Sequence, residues 1–431
     1  MAAKRTTFSI LDFPSDLLLL ILNRLDQNDL RSISLASKSF RPLTNQIVRK
    51  LTFSKPLPTD RAFRKIFTQF FSVDEITIHS TRVGRTLEAI SSSRLDLKTL
   101  RIQGCPSSLK QNHVLSLRGR FEKLKALNLR WFANAGVDQI IEFIQLFPAL
   151  EELDFSSSGQ WNDVGIERLT LEVPNLRKIN LAGNMGLTDR SLNALAVNCA
   201  NLEYVNFKRC GNLTLQCFCT FLSKRQNLRS LDLPTFFTSP QTLFLSLAES
   251  ISSCKNLGHF STNRRMIGDE FLSVIAKSPS SLTSFTINPG GGGCIYYTME
   301  GLSTVLCAFP CLTRLVVCLP SYWYSSQDAQ MSELVKSLPD LTDITVTSYR
   351  PINETLLSLI ENCPVLKYIT LRSDTGYITS HCVAPPPTRK NYSIERISLY
   401  PEPDTLLKTT LEWLCPSLKK ITFLDFYKNN F

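Results

Sequence analysis

The sequence predicts an α/β solenoid, a horseshoe with parallel strands on its concave face and helices on its convex face, behind a small all-α module. Three observations predict it. A six-residue apolar pattern recurs about fourteen times, a stretch of helical spacing follows most recurrences, and the first 48 residues do not share the pattern. A strand–helix pair repeated in this way buries its apolar faces only by stacking on its neighbours.

The pattern is L-x-x-L-x-L. It appears at Leu124, Leu127 and Leu129, then at Leu150, Leu153 and Phe155, and then at Leu176, Ile179 and Leu181. Leu202, Val205 and Phe207 follow, then Leu228, Leu231 and Leu233, with the first residues of these five units 26 apart. It extends upstream to Val73 and Leu97, and downstream through Leu257, Leu282, Leu312, Leu341, Leu366, Ile394 and Leu418. Alternate residues of a strand face opposite sides, so the L-x-L pair marks a short strand with one buried face. The stretch that follows it, such as Leu192, Leu195 and Ala196 after Asp189, carries helical spacing and an acid in its first turn. Cys-Pro ends two of these stretches, at Cys363-Pro364 and Cys415-Pro416, since proline cannot continue a helix.

Residues 175–210, with Thr188-Asp189 and Cys210, resemble the cysteine-containing leucine-rich repeat, L-x-x-L-x-L-x-x-C-x-x-I-T-D. The resemblance implies a leucine-rich-repeat solenoid over residues 72–431. The unit at Leu257 departs from the pattern, with Ser261-Thr262 where a third apolar residue belongs.

The N-terminal module reads as two or three short helices. Phe13-Pro14 sets up a helix start, and Ser15 or Asp16 serves the cap or first turn. Leu17, Leu18, Ile21, Leu22 and Leu25 form one broad helical face. Asp26 to Asp29 is a break, after which Leu30, Ile33, Leu35, Ala36 and Phe40 supply further apolar faces. So short a module cannot bury this much leucine alone, which points either to a partner or to a cap packed on the first repeat.

Residues 13–43 resemble the F-box, L-P-x-E-L-L-x-x-I-L-x-x-L-x-x-x-D-L followed by S-K-x-W-R-x-L. Pro14, Leu17, Leu18, Ile21, Leu22, Leu25, Asp29, Leu30, Ser37, Lys38, Arg41 and Leu43 match it, with Phe13, Asp16, Ala36 and Phe40 as mild replacements. The resemblance implies an F-box at residues 8–48, a helical linker at 49–71, and docking on a Skp-family adaptor joined to a cullin. It assigns adaptor contacts to Phe13, Pro14, Leu17, Leu18, Ile21, Leu22, Leu25, Leu30, Lys38 and Phe40. The whole chain then resembles the F-box/leucine-rich-repeat proteins, the target-recognition subunits of SCF-type ubiquitin ligases.

Composition narrows the alternatives. Hydrophobic residues are 43% and charged residues 20%, enough apolar material for a long core. The net charge of +11 is scattered, without the basic run that a nucleic-acid groove calls for, so no nucleic-acid partner is expected. The longest clean apolar run, Leu17 to Leu22, is far short of a membrane span, and no secretory pattern precedes it, which places the protein in the cytoplasm or nucleus. Of thirteen cysteines, Cys199, Cys254, Cys363 and Cys415 stand three residues before a repeat leucine, where other units have Phe147, Val173, Phe309 and Leu338. Cysteine there acts as a small hydrophobe, and no metal or other cofactor is expected. Gly290 to Gly293 lacks the lysine of a phosphate cradle, and the four histidines are dispersed, so a non-catalytic role is expected.

Target contacts are expected on two surfaces. The polar concave strand positions include Arg314, Tyr368 and Arg372, and the loops leaving the strands carry aromatics that would line one rim. These are Trp131-Phe132, Trp161, Phe236-Phe237, Tyr296, Tyr297, Tyr322, Trp323, Tyr324, Tyr349 and Tyr377. A repeat scaffold or inhibitor outside ubiquitination, or a receptor holding a small molecule such as an inositol phosphate, are the alternative readings.

Overall fold

The computed structural model describes residues 13–54, 60–79, 83–103, 113, 115–130, 136–159, 161–236, 241–264, 267–278, 281–288, 295–320, 327–374, 389–400 and 405–423. The chain divides into two compact units, Met1–Asn180 and Leu181–Phe431. Both are built as a leucine-rich-repeat α/β solenoid, and the first also carries the all-α module.

In the first unit, helices α1 (Ser15–Leu22), α2 (Gln27–Ala36) and α3 (Arg41–Ile47) precede strands β1 (Lys50–Phe53), β2 (Glu75–His79), β3 (Thr99–Gln103), β4 (Ala126–Asn128), β5 (Glu152–Asp154) and β6 (Lys178–Asn180). These strands pair in parallel and in chain order. The repeat residues form a buried rung across them: Leu100, Leu127, Leu153 and Ile179 are in register and at most 2% exposed.

The second unit runs through β7 (Tyr204–Asn206), β8 (Ser230–Asp232), β9 (His259–Asn263), β10 (Ser284–Asn288), β11 (Arg314–Cys318), β12 (Asp343–Ser348), β13 (Tyr368–Ser373), β14 (Arg396–Tyr400) and β15 (Lys420–Phe423), again parallel and in chain order. Val205, Leu231, Phe260, Phe285, Leu315, Ile344, Ile369 and Ile397 make the corresponding rung, all fully buried. In the irregular unit at Leu257, Thr262 takes the third core position and is fully buried.

One expectation is corrected. The segment read as a helical linker holds a strand as well as helix α4 (Asp60–Gln69), because β1 pairs with β2 from Lys50↔Glu75 to Phe53↔Ile78. Val48, Leu51 and Phe53 repeat the L-x-x-L-x-L spacing, and Phe53 is buried against Phe63 and Phe67. The sheet therefore starts directly behind α3.

The cysteines at the repeat position are core. Cys199, Cys254, Cys363 and Cys415 are at most 1% exposed. Burial pushes their thiols up, to about 11 at Cys199 and Cys254 and about 12 at Cys363 and Cys415. A thiol so raised stays protonated and unreactive near neutral pH.

The Thr-Asp signature has a structural reason. An acid in the first turn of one helix accepts hydrogen bonds from the first turn of the next, where backbone N–H groups have no intrahelical partner. Asp189 accepts from the Thr214 N–H (2.8 Å) and hydroxyl (2.7 Å), and Asp269 accepts from those of Thr298 (2.8 and 2.9 Å). Asp328 accepts from the N–H groups of Glu354 (2.7 Å) and Thr355 (2.8 Å). The helix Asn353–Asn362 has no side-chain bond from its own N-cap, Ile352, so Asp328 is its cap. Asp328→Ala should lower unfolding stability by about 1–2 kcal/mol, read as a shifted urea midpoint at unchanged slope. No shift would remove Asp328 from this role.

Candidate functional site

The all-α module leaves an apolar surface. Helix α1 follows Pro14, whose carbonyl accepts from the N–H groups of Leu17 and Leu18 (3.0 and 3.1 Å). Helix α2 is capped by Asp26, whose carboxylate accepts from the N–H groups of Asn28 and Asp29, both at 2.8 Å. Four successive leucines, Leu17 to Leu20, cover α1 all round, and packing sorts them. Leu18 and Leu22, one turn apart, point inward with Leu30 of α2 and Thr44 of α3, all at most 6% exposed. Leu17, Leu20 and Ile21 point outward at 41%, 65% and 45% exposure, beside Phe13 at 41%.

The residues assigned as adaptor contacts therefore separate. Phe13, Pro14, Leu17, Ile21 and Lys38 are on the surface, and Leu25 and Phe40 are half-buried. Leu18, Leu22 and Leu30 are corrected: they are the module's own core, since helical periodicity turns them from the exposed face. Leu20 and Leu35, at 65% and 71% exposure, are apolar surface that the assignment omitted. Spacing of three from Leu17 could have revealed Leu20.

The solenoid's outward strand positions form rows. In the second unit one row is Tyr204, Ser230, His259, Ser284, Arg314, Asp343, Tyr368, Arg396 and Lys420, each in register with the next. Near its start, buried Asp232 gathers Lys208 (2.7 Å), His259 Nε2 (3.3 Å) and the Tyr204 hydroxyl (3.4 Å), while His259 Nδ1 lies 2.8 Å from the Ser284 hydroxyl. Serine, imidazole and carboxylate in a line resemble a hydrolytic triad. The N–H groups of Thr283 and Ser284 both donate to the Gly258 carbonyl, however, so neither is left to hold an oxyanion. The cluster ties β8, β9 and β10 together.

Burial alone would raise the Asp232 carboxyl. The His259 hydrogen bond and the Lys208 ammonium outweigh it and hold the group below its ordinary value of about 3.8. Such a carboxylate adds stability that is present above its unfolded pKa and is lost as pH falls through the folded one. Urea midpoints measured from pH 5 down to below about 3.8 should fall less steeply for Asp232→Asn than for the unchanged protein. Parallel acid limbs would contradict this.

The aromatic rim is thinner than its sequence suggests. Tyr296 and Tyr349 are 65% and 46% exposed. Tyr297, assigned to target binding, is corrected: it is fully buried and its hydroxyl donates to the Cys318 carbonyl. Tyr296 bridges Gly268 in a strand-like arrangement, so its neighbour faces the opposite side, into the core. Trp161 and Phe236 are also core, packed on Phe155 and Phe218. Trp131, Phe132, Phe237, Tyr322, Trp323, Tyr324, Tyr377 and the run Gly290 to Gly293 lie outside the described residues. On the strand face Arg314 and Tyr368 are exposed and Arg372 is half-buried.

Comparison with known proteins identifies an F-box domain at residues 10–51. The F-box protein SKIP19 of Arabidopsis thaliana is 43% identical over 54 residues, 12% of this chain and 18% of that protein, so the match spans less than a fifth of that relative. Among solved structures, the Rad7 and Elc1 complex in yeast gives a TM-score of 0.46 at 17% identity, covering 77% of this chain and 88% of that one. The leucine-rich repeat-containing protein LegL7 from Legionella pneumophila gives 0.41 at 14% identity, covering 64% and 90%.

Proposed function

We propose, for a chain that is an F-box/leucine-rich-repeat protein, that it is the substrate-recognition subunit of an SCF-type ubiquitin ligase. In this reading the F-box docks on a Skp-family adaptor and through it a cullin, and the solenoid holds a protein target. The observation that carries the reading is the outward face of α1. Phe13, Leu17, Leu20 and Ile21 are exposed together on a domain matched as an F-box, whereas a mere cap would turn Leu17 and Ile21 into the first repeat. Apolar surface concentrated on so small a module favours a partner.

The solenoid's part is positional. A target held on rigid strands is presented to a ubiquitin-transferring enzyme elsewhere in the complex, and proximity supplies the acceleration. No catalytic group is required of this chain, and its place of work would be the cytoplasm or nucleus. The test is affinity capture with the proteasome blocked, comparing the full chain with one lacking residues 1–48, a cut that keeps β1. Adaptor and cullin should be lost with the deletion while the target is retained. Retention of adaptor and cullin by the shortened chain would overturn the reading.

A further inference from the structure

The cations on the outward strand rows are almost all paired with acids. In the first unit Lys50 and Arg101 both reach Glu75 (2.7 and 3.0 Å), and Lys178 reaches Glu152 (2.6 Å). In the second, Lys208 reaches Asp232 (2.7 Å), Arg314 reaches Asp343 (3.5 Å) and Arg372 reaches Asp374 (3.3 Å). Arg396 and Lys420 break the pattern. They are register partners on β14 and β15, and among the described residues neither forms a salt bridge. Adjacent strands lie about 4.8 Å apart, so two positive side chains start from neighbouring backbone positions, an arrangement that costs stability. Glu395, next in sequence to Arg396, is engaged by Lys419 (2.9 Å), and the acid of the same row, Asp343 two strands away, is engaged by Arg314.

The surroundings give this pair a shape. Next in its row is Tyr368, 41% exposed, with the Arg396 guanidinium 5.9 Å from its ring centre. Two residues along the strands lies a row of small hydroxyl side chains, Thr345, Thr370, Ser398 and Thr422. Two further on, the side chains are large again on β13 and β14, where Arg372 stands 5.5 Å from the Tyr400 ring centre, while β12 carries Thr347 at that position. Ser398 is 8% exposed although it faces outward, as expected of a floor between taller neighbours. The result is a trough walled on both sides at β13 and β14, with its floor running on to β12 and β15. Its walls are about 13 Å apart along the strands, and its length is that of about four or five extended residues.

We propose that this trough docks an extended, carboxylate-rich segment of the target protein. Acidic side chains would take Arg396 and Lys420 on one wall, while the floor hydroxyls meet the segment's backbone. Arg396, held against the Tyr368 ring on a strand, is pre-organised, so less entropy is lost when it binds. Arg396 and Lys420 start from separate strands about 4.8 Å apart, so each can take the single charge of a different acidic side chain along the segment. The inference rests on the reading of the solenoid as the target-binding part.

The probe is a short fluorescent peptide of alternating glutamate and serine, titrated by polarisation against the full chain. Its glutamine counterpart and a single-phosphoserine peptide otherwise free of acids serve as comparisons. The glutamate peptide should bind, the glutamine peptide should not, and Arg396→Glu with Lys420→Glu should weaken binding at least about ten-fold, as loss of close charge pairs does. Lys255→Glu with Lys277→Glu, exposed residues outside the strands, makes the same change in net charge and should leave binding unchanged. Equal loss in both double variants would reduce the effect to bulk charge, and binding of the phosphoserine peptide alone would overturn the carboxylate assignment. Absence of any glutamate-peptide binding would overturn the trough itself. Adaptor binding, read on the same samples, should not change among these variants. Its failure in the unchanged protein would strike the ligase reading and leave the peptide result standing.

Discussion

Replacing Leu17 and Ile21 with aspartate is expected to abolish adaptor binding while the repeats keep their melting temperature. Both side chains already stand 41% and 45% exposed, so their loss removes little from the fold. In a complex each would be buried, which is worth about 1.5–3 kcal/mol per side chain, and an unpaired carboxylate forced into the same contact costs more. The pair together exceeds about 3 kcal/mol, more than a hundred-fold in affinity. Leu18→Asp with Leu22→Asp is the informative contrast. Those side chains are at most 4% exposed, so this variant should unfold the module and lose binding indirectly, with a visible change in helix content. Unchanged adaptor binding by the Leu17 and Ile21 variant, with the fold intact, would remove the exposed face of α1 from the interface.

The second large effect separates two adjacent tyrosines. Tyr297→Ala should lower stability by about 3–5 kcal/mol, the cost of emptying a buried aromatic site, and Tyr296→Ala should stay within about 0.5 kcal/mol. Tyr297 is fully buried with its hydroxyl bonded to the Cys318 carbonyl, and burial drives its phenol well above the ordinary range. Tyr296 is 65% exposed. Denaturant unfolding of the two variants decides the matter. Similar small losses in both would return Tyr297 to the surface.

Much of the architecture was readable in advance because the repeat records its own burial. Leu127, Leu153 and Ile179 occupy one rung because one spacing recurs, and no longer-range information was needed to place them. The first strand escaped because Val48 was assigned to the helical module, which hid its spacing with Leu51 and Phe53. The candidate site was harder to read. A run of four leucines satisfies a helix on every side, so only packing against α2 and α3 shows that Leu18 is inside and Leu17 outside. Likewise Tyr296 and Tyr297 form one aromatic pair in the sequence, and the bridge to Gly268 sends them to opposite faces. Arg396 and Lys420 each stand two residues after the first apolar residue of their units, Ile394 and Leu418, a spacing the sequence carries, whereas the lack of a salt bridge to either among the described residues is visible only in the fold.

The most direct measurement is calorimetric titration of the purified full chain with a purified Skp-family adaptor. A one-to-one complex is expected that persists through size-exclusion chromatography and is lost with Leu17→Asp and Ile21→Asp. Absence of heat and of co-elution, by a chain whose repeats are shown to be folded, would contradict it.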